Sequence, residues 1–330
     1  MRINAKGEAM SKKDWIYGRN VVLTGCSTGM GKEIALILVK KYGCNVMGIA
    51  RNKAKLDALK EELGDKFSYR RINISDRQSW RDFGAELDAM GFQVDILINN
   101  AGMIQPFMQY NDMTDDQIDK VVSTNMMSVV YACKEMLPYI KKSRFGYICN
   151  VASASAILPV GGESIYSATK GGVWALTECL AQELRGFGIG VSCVMPGPVK
   201  TDIYKARESE GEKADKADSL VESIGITAET AAKRIVKAMR KRKARVVTDG
   251  VARLMDFGMR VCPAFTCKAT GAAIKAFCGK VKSFYPIYKE QIERKEELDK
   301  LLKDRKKEVY KSLDEVPAGG AFANDPVEDK

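Results

Sequence analysis

Ser153, Tyr166 and Lys170 are the residues whose types and spacing could move a proton. Tyr166 and Lys170 stand four apart in ESIYSATKGGVWALTECLAQEL, a run that reads as a helix. Positions i and i+4 share one helix face, so the ammonium is expected beside the phenol. A free tyrosine ionises at about pH 10 and is a poor acid or base at neutrality. A neighbouring cation favours the phenolate and lowers that value, which makes the phenol a usable proton shuttle. Ser153 follows FGYICNVA, which reads as a buried strand. If strand end and helix start converge, its hydroxyl can bond the same reacting oxygen as Tyr166. A tyrosine and a lysine at this spacing are also a common accident on any helix, so the reading depends on the rest of the chain. There is no histidine. That removes histidine catalysis and histidine-ligated zinc, strengthens the case for a tyrosine shuttle, and leaves no metal expected.

The elements that must position these groups come from a chain of ordinary composition. At 330 residues it can bury a large core, and length alone points to two domains. Apolar content of 45% with 29% charge is that of a soluble globular protein. No apolar run approaches the ~18 residues of a membrane span. The first residues, MRINAKGEAMSKKDW, lack the apolar core of a secretory signal. Nine cysteines without a CxxC pair read as thiols in a reducing cytoplasm, the expected location. The net charge of +11 raises nucleic acid as a partner, but no nucleic-acid motif accompanies it and none is expected.

Taken in order, Asn20 to Leu23 reads as a strand, TGCSTGMG as a glycine-rich turn, and KEIALILVKKY as a helix. Strand, glycine turn and helix together present backbone N–H groups and a helix N-terminus to a pyrophosphate. Gly25 permits the tight turn, and Gly29 and Gly31 allow close approach of phosphate and of helix to strand. A second strand, Asn45 to Ala50, ends in Arg51. An arginine there pairs with a 2′-phosphate where a carboxylate would take a ribose hydroxyl, so NADP(H) is favoured over NAD(H). A helix over 53–63 and a third strand over 67–74 follow, with Asn73 and Ile74 at the adenine edge. Asp76 to Met90 reads as a helix capped by Ser75 or Asp76. The apolar strand 94–98 runs into Asn100 and Gly102, where small residues let the turn pack under a nicotinamide. Asn125 lies in the apolar-rich run VVSTNMMSVVYA of a helix over 114–141, as a structural clamp or part of a polar relay. Strands at 146–151, 190–194 and 245–248 and a helix over 227–241 complete the alternation.

TGCSTGMG, NNAG, Asn125, Ser153, YSATK and PGPVKT occur in the order and spacing of the short-chain dehydrogenase/reductase family, which the chain resembles over about 18–250. The resemblance implies an α/β Rossmann fold, doubly wound, with a seven-stranded parallel sheet and helices on both faces in a single domain. It implies catalytic roles for Asn125, Ser153, Tyr166 and Lys170. It places the cofactor on Gly25, Ser27, Gly29, Met30, Gly31, Arg51, Asn100, Gly102, Lys170, Pro196, Gly197, Val199 and Thr201, with Tyr166 alongside. Asn73 stands where the family usually has an aspartate, and no basic residue precedes Gly29, so the NADP(H) expectation leans on Arg51. A homodimer or homotetramer is the expected assembly.

Met103, Ile104, Pro106, Phe107, Ile157 to Val160 and Met195 are the expected pocket lining; they could equally be core. Their apolar character points to a bulky apolar ketone or alcohol, as in the hydroxysteroid dehydrogenases of the family. The alternatives are a 3-oxoacyl thioester, whose acidic carrier would suit the positive charge, and an NADP(H)-sensing module without turnover. The intact Ser153, Tyr166 and Lys170 argue against the sensor. The charge-rich stretch 202–223 occupies the place of a substrate lid. Four regions are expected: a flexible tail over 1–17, the Rossmann domain over 18–250, a basic helical extension over 251–313 and an acidic disordered tail over 314–330. Within the extension, 251–284 is apolar and basic. It is expected to cover the pocket with Leu254, Met255, Phe257, Met259, Val261 and Phe265, or else to make a weak contact with a membrane surface.

Overall fold

Strands buried on both faces need continuous apolar runs, and ILIN and YICNV are buried at every position. In the computed structural model, which describes residues 14–201, 203, 225–278, 293–294, 297–305 and 307, the strands are numbered in chain order. They are β1 (Asn20–Thr24), β2 (Asn45–Ile49), β3 (Phe67–Arg70), β4 (Ile96–Asn99), β5 (Tyr147–Val151), β6 (Gly190–Met195), β7 (Val199–Lys200), β8 (Ile226–Thr227) and β9 (Arg245–Val247). Seven form one sheet in the order β3-β2-β1-β4-β5-β6-β9. All of its neighbours pair parallel. β7 and β8 make a separate short parallel pair. The strand order reverses between β1 and β4, which opens a crevice at their carboxyl ends.

The helices are α1 (Gly29–Leu36), α2 (Lys53–Leu63), α3 (Arg77–Ala89), α4 (Asp115–Val122), α5 (Ser128–Lys141), α6 (Ser164–Glu183), α7 (Ala228–Arg240), α8 (Gly250–Val261) and α9 (Pro263–Cys278). The apolar faces of α1 with the π turn that continues it (Ile37–Lys41), α2 and α7 pack on one side of the sheet, through Ile34, Leu38, Leu56, Leu59 and Ile235. Those of α3, α5 and α6 pack on the other, through Trp80, Phe83, Ala132, Met136 and Val173. Caps set the starts: Asp76 accepts from the N–H groups of Gln78 and Ser79, and Thr114 forms a capping box with Gln117.

Four expectations shift. The third strand ends at Arg70, because the Asn73 side chain accepts the Ser75 N–H and turns the chain out of the sheet. The helix over 114–141 contains a π turn, Ser123–Met127. Residues 14–17 are packed on the domain: Ile16 is fully buried, Trp15 donates to the Arg240 carbonyl at 2.8 Å, and Asp14 pairs with Arg240, while residues 1–13 lie outside the described residues. The extension does not cover its apolar groups. Leu254, Phe257, Val261 and Phe265 are 72%, 63%, 61% and 71% exposed, whereas Met255 and Met259 are half-buried. The lid stretch, Ile203 aside, and the acidic tail lie outside the described residues, as do residues 279–292. Helix is described at 293–294, 297–305 and 307.

Candidate active site

The glycine turn joins β1 to α1 with its backbone held open. Gly25 has φ +69°, and a Cβ there would stand 2.8 Å from the Ala101 Cα. A Cβ on Gly31 would meet the Gly25 carbonyl oxygen at 2.0 Å. No side chain fits at either position, so the N-terminus of α1 is left bare for a ligand. Thr24 ties this turn to the next strand: its hydroxyl accepts the N–H groups of Asn100 and Ala101, each at 3.0 Å. The Asn100 Nδ2 donates to the carbonyls of Thr24 and Gly25, but its buried Oδ1 has no hydrogen-bond partner. Thr201 closes the far side, its Cγ2 lying 3.1 Å from where a Gly29 Cβ would be. The loop carrying Pro196 and Gly197 is pinned twice: the Pro196 carbonyl accepts the Ala154 N–H at 2.7 Å, and the Asp249 carboxylate accepts the Gly197 N–H at 2.8 Å. Val199 is buried, while Ser27 and Met30 are half-buried on the glycine turn. An orphaned acceptor and a glycine cradle at the switch point fit a dinucleotide.

At the β2 end, Arg51 is exposed, and the Arg71 Nε donates to its carbonyl at 3.0 Å. Two guanidinium-bearing residues therefore sit together, and no carboxylate pairs with either among the described residues. Arg71 was hidden to sequence reasoning because it falls inside the over-long third strand; the only available signal was its basic type at a strand end. Asn73 is exposed in the turn that follows, and the Ile74 carbonyl accepts the Trp80 indole N–H at 2.9 Å.

The reacting groups meet at the ends of β4 and β5. Ser153 caps a short 3-10 turn, Ala154–Ala156, and its hydroxyl hydrogen-bonds the Tyr166 phenol. Both are 8% exposed. Lys170, one turn further along α6, donates its Nζ to the Val151 carbonyl at 3.0 Å and lies 5.8 Å from the centre of the Tyr166 ring. A Cβ on Gly102 would stand 3.2 Å from Lys170 Nζ and 3.3 Å from Asn125 Oδ1. The π turn aims Asn125 inward, where it is fully buried. Its Oδ1 accepts the Met103 N–H at 2.8 Å and its Nδ2 donates to the Met103 carbonyl at 2.9 Å. These two bonds clamp the Met103 backbone to the π turn. A hydroxyl and a phenol so placed can both hydrogen-bond one carbonyl oxygen.

The electrostatics differ from the expectation of a depressed phenol. Burial raises the Tyr166 pKa, and the Ser153 hydrogen bond offsets only part of the rise. Burial also pushes Lys170 down to about 8. In the dry interior the desolvation of each group outweighs the attraction expected between them.

Gln105 belongs to no motif, yet it is fully buried and holds the start of α6. Its Oε1 accepts the Tyr166 N–H at 2.7 Å and its Nε2 donates to the Gly162 carbonyl at 3.1 Å. That N–H is one of the first-turn donors a helix leaves unmet, and Glu163 at the N-cap position makes no capping bond with its side chain. The only signal was one amide among apolar neighbours in MIQPFM. Gln105→Leu should cost about 1–3 kcal/mol of stability and lower kcat with cofactor Kd unchanged. Urea unfolding with the wild-type midpoint would show that the clamp contributes nothing. Among the expected lining residues, Met195 and Ile157 belong to the core and Ile104 is buried. Met103, Pro106, Phe107 and Val160 keep part of their surface open.

A family model described as short chain dehydrogenase matches residues 19–212, more than half of the chain. The chain belongs to the short-chain dehydrogenase family. It is an oxidoreductase acting on hydroxyl or keto groups with a nicotinamide cofactor. The 3-oxoacyl-acyl-carrier-protein reductase of Chlamydia pneumoniae is 32% identical over 191 residues, 57% of this chain and 76% of that protein. The human very-long-chain 3-oxoacyl-CoA reductase is 32% identical over 222 residues, 64% of this chain and 70% of that one. Among solved structures, a Sphingobium yanoikuyae short-chain dehydrogenase in complex with NADPH superposes with a TM-score of 0.62 at 25% identity. That match covers 72% of this chain and 91% of the other.

Proposed function

We propose that the protein is an NADP(H)-dependent reductase of 3-oxoacyl thioesters, with Ser153, Tyr166 and Lys170 as its catalytic residues. The observation that carries the reading is the convergence of the Ser153 hydroxyl, the Tyr166 phenol and the Lys170 ammonium beside Gly102, at the sheet's switch point. The hydroxyls of Ser153 and Tyr166 hold the substrate oxygen, and Tyr166 gives it a proton as negative charge develops there. Lys170 favours the phenolate left behind, and Asn125 positions the Met103 backbone next to both. The nicotinamide, when bound, supplies the hydride and in the reverse direction accepts it. Gly25, Ser27, Gly29, Met30 and Gly31 would hold its pyrophosphate, and Asn73 and Ile74 its adenine edge. Asn100, Gly102, Pro196, Gly197, Val199 and Thr201 would line the nicotinamide half.

The thioester is favoured because both relatives are named as 3-oxoacyl reductases. The net charge of +11 also suits an acidic acyl carrier or nucleotide. A steroid ketone is the second reading, supported by the open apolar side chains of Met103, Pro106, Phe107 and Val160. NADPH oxidation against a panel of 3-oxoacyl thioesters and steroid ketones separates the two. The thioesters should give the higher kcat/KM, and the reverse order would overturn the assignment.

Arg51 and Arg71 support NADP(H), since guanidinium groups on residues at this strand end suit a phosphate dianion. Arg51→Asp with Arg71→Asp should raise the Kd for NADPH by about tenfold or more and leave NADH little changed. Equal NADPH and NADH affinities in the wild type would remove the preference.

A further inference from the structure

The C-terminal helices α8 and α9 carry an apolar stripe that the redox site does not use. Asp249 caps α8 by accepting the Ala252 N–H at 2.9 Å. The inward face of α8 is then fixed by Ala252, fully buried, by Asp256, paired with Arg245 at 2.7 Å, and by Met259, packed on the core. α9 folds back closely: a Cβ on Gly258 would meet the Thr266 hydroxyl at 2.8 Å. With that face anchored, Leu254, Phe257 and Val261 recur at i, i+3 and i+7 along the outward side, and Phe265 follows on α9. All four are among the most exposed large apolar side chains of the described residues.

We infer that this face docks on the surface of an anionic lipid bilayer. Its charge decides the occupant. Arg253, Arg260 and Lys268 are exposed around the stripe. The single carboxylate of residues 250–278, Asp256, is turned inward between Arg245 and Arg260. An amphipathic helix with leucine and phenylalanine on one side and cations at its edges lies in the headgroup region, its apolar groups inserted and its basic groups on lipid phosphates. A second copy of the chain fits less well. A two-fold contact through this patch would set the cations of one copy against those of the other with no acid between them. No described helix is long and apolar enough to cross a membrane, so the contact is a surface one. The inference stands apart from the thioester reading, because the outward side chains of Leu254, Phe257, Val261 and Phe265 are exposed and none of them is assigned to cofactor or substrate.

The test is co-sedimentation of the full chain with vesicles of equal parts phosphatidylcholine and phosphatidylglycerol, beside vesicles of phosphatidylcholine alone. Binding should be stronger to the anionic vesicles and should weaken as salt is added. Phe257→Ser and Phe265→Ser should each lower partitioning by roughly tenfold, with NADPH Kd unchanged as the control for folding. Arg253→Glu with Lys268→Glu should remove the preference for the anionic vesicles. Wild-type protein that stays in the supernatant overturns the inference, as does a double serine variant that partitions like the wild type. A serine variant that converts a dimer to a monomer, in a protein that ignores both vesicles, assigns the face to a subunit contact instead.

Discussion

Tyr166→Phe should lower kcat by about 10²–10⁴-fold while leaving the Kd for NADPH near the wild-type value. The phenylalanine keeps the ring, so the packing of α6 against its surroundings is preserved. What is lost is the oxygen that hydrogen-bonds Ser153 and that would hand its proton to the substrate. The Tyr166 N–H remains held by Gln105 at 2.7 Å, so the helix start does not move. With no histidine in the chain, no imidazole can take over. Ser153 alone can hold the substrate oxygen but is a far weaker acid than a phenol. Single-turnover kinetics with saturating NADPH isolates the chemical step. Turnover of the phenylalanine variant within a few-fold of wild type would exclude Tyr166 as the proton donor.

Lys170→Met should do two opposite things, abolishing most of the turnover and stabilising the cofactor-free protein. Burial pushes the Lys170 pKa down to about 8 from 10.5. Between those values the unfolded chain binds a proton that the folded chain does not, so stability rises as pH climbs through that window. Below about 8 both states are protonated, and the cost of holding a buried ammonium is present in full. Removing it at pH 7 returns on the order of 3 kcal/mol. The Val151 carbonyl, which accepts from Lys170 at 3.0 Å, loses its donor. That loss costs about 1 kcal/mol, which leaves a net gain of about 2 kcal/mol. Function forfeits what stability gains, as strained groups at sites commonly do. Urea unfolding at pH 7 and at pH 10 reads the effect: the methionine variant should lead at pH 7, and the gap should narrow at pH 10. A variant less stable than wild type at pH 7, or one with normal kcat, would refute the account.

Both predictions depend on a site only partly legible in one dimension. The sequence by itself determined the central strands, ILIN and YICNV above all, because they are continuous apolar runs, and its motifs carried the family resemblance that implied the seven-stranded parallel sheet. The turn at Gly25 to Gly31 is visible from its three glycines after a strand, and the structure gives the reason, since a side chain at Gly25 or Gly31 would clash with backbone. Tyr166 and Lys170 were visible because helix geometry is local: four residues apart is one turn wherever the helix sits. Tertiary structure alone decided what is set by neighbours remote in sequence. Gln105 reaches the Tyr166 N–H from 61 residues away. Arg71 reaches Arg51 across 20. The protonation of Tyr166 and Lys170 follows burial, a property of the packed interior, and it moved both groups against the direction that pairwise charge at helical spacing implies. The same holds for the extension. Its apolar and basic residues are plain in the sequence, but which of them turn inward was fixed only when Arg245 and the core took Asp256 and Met259.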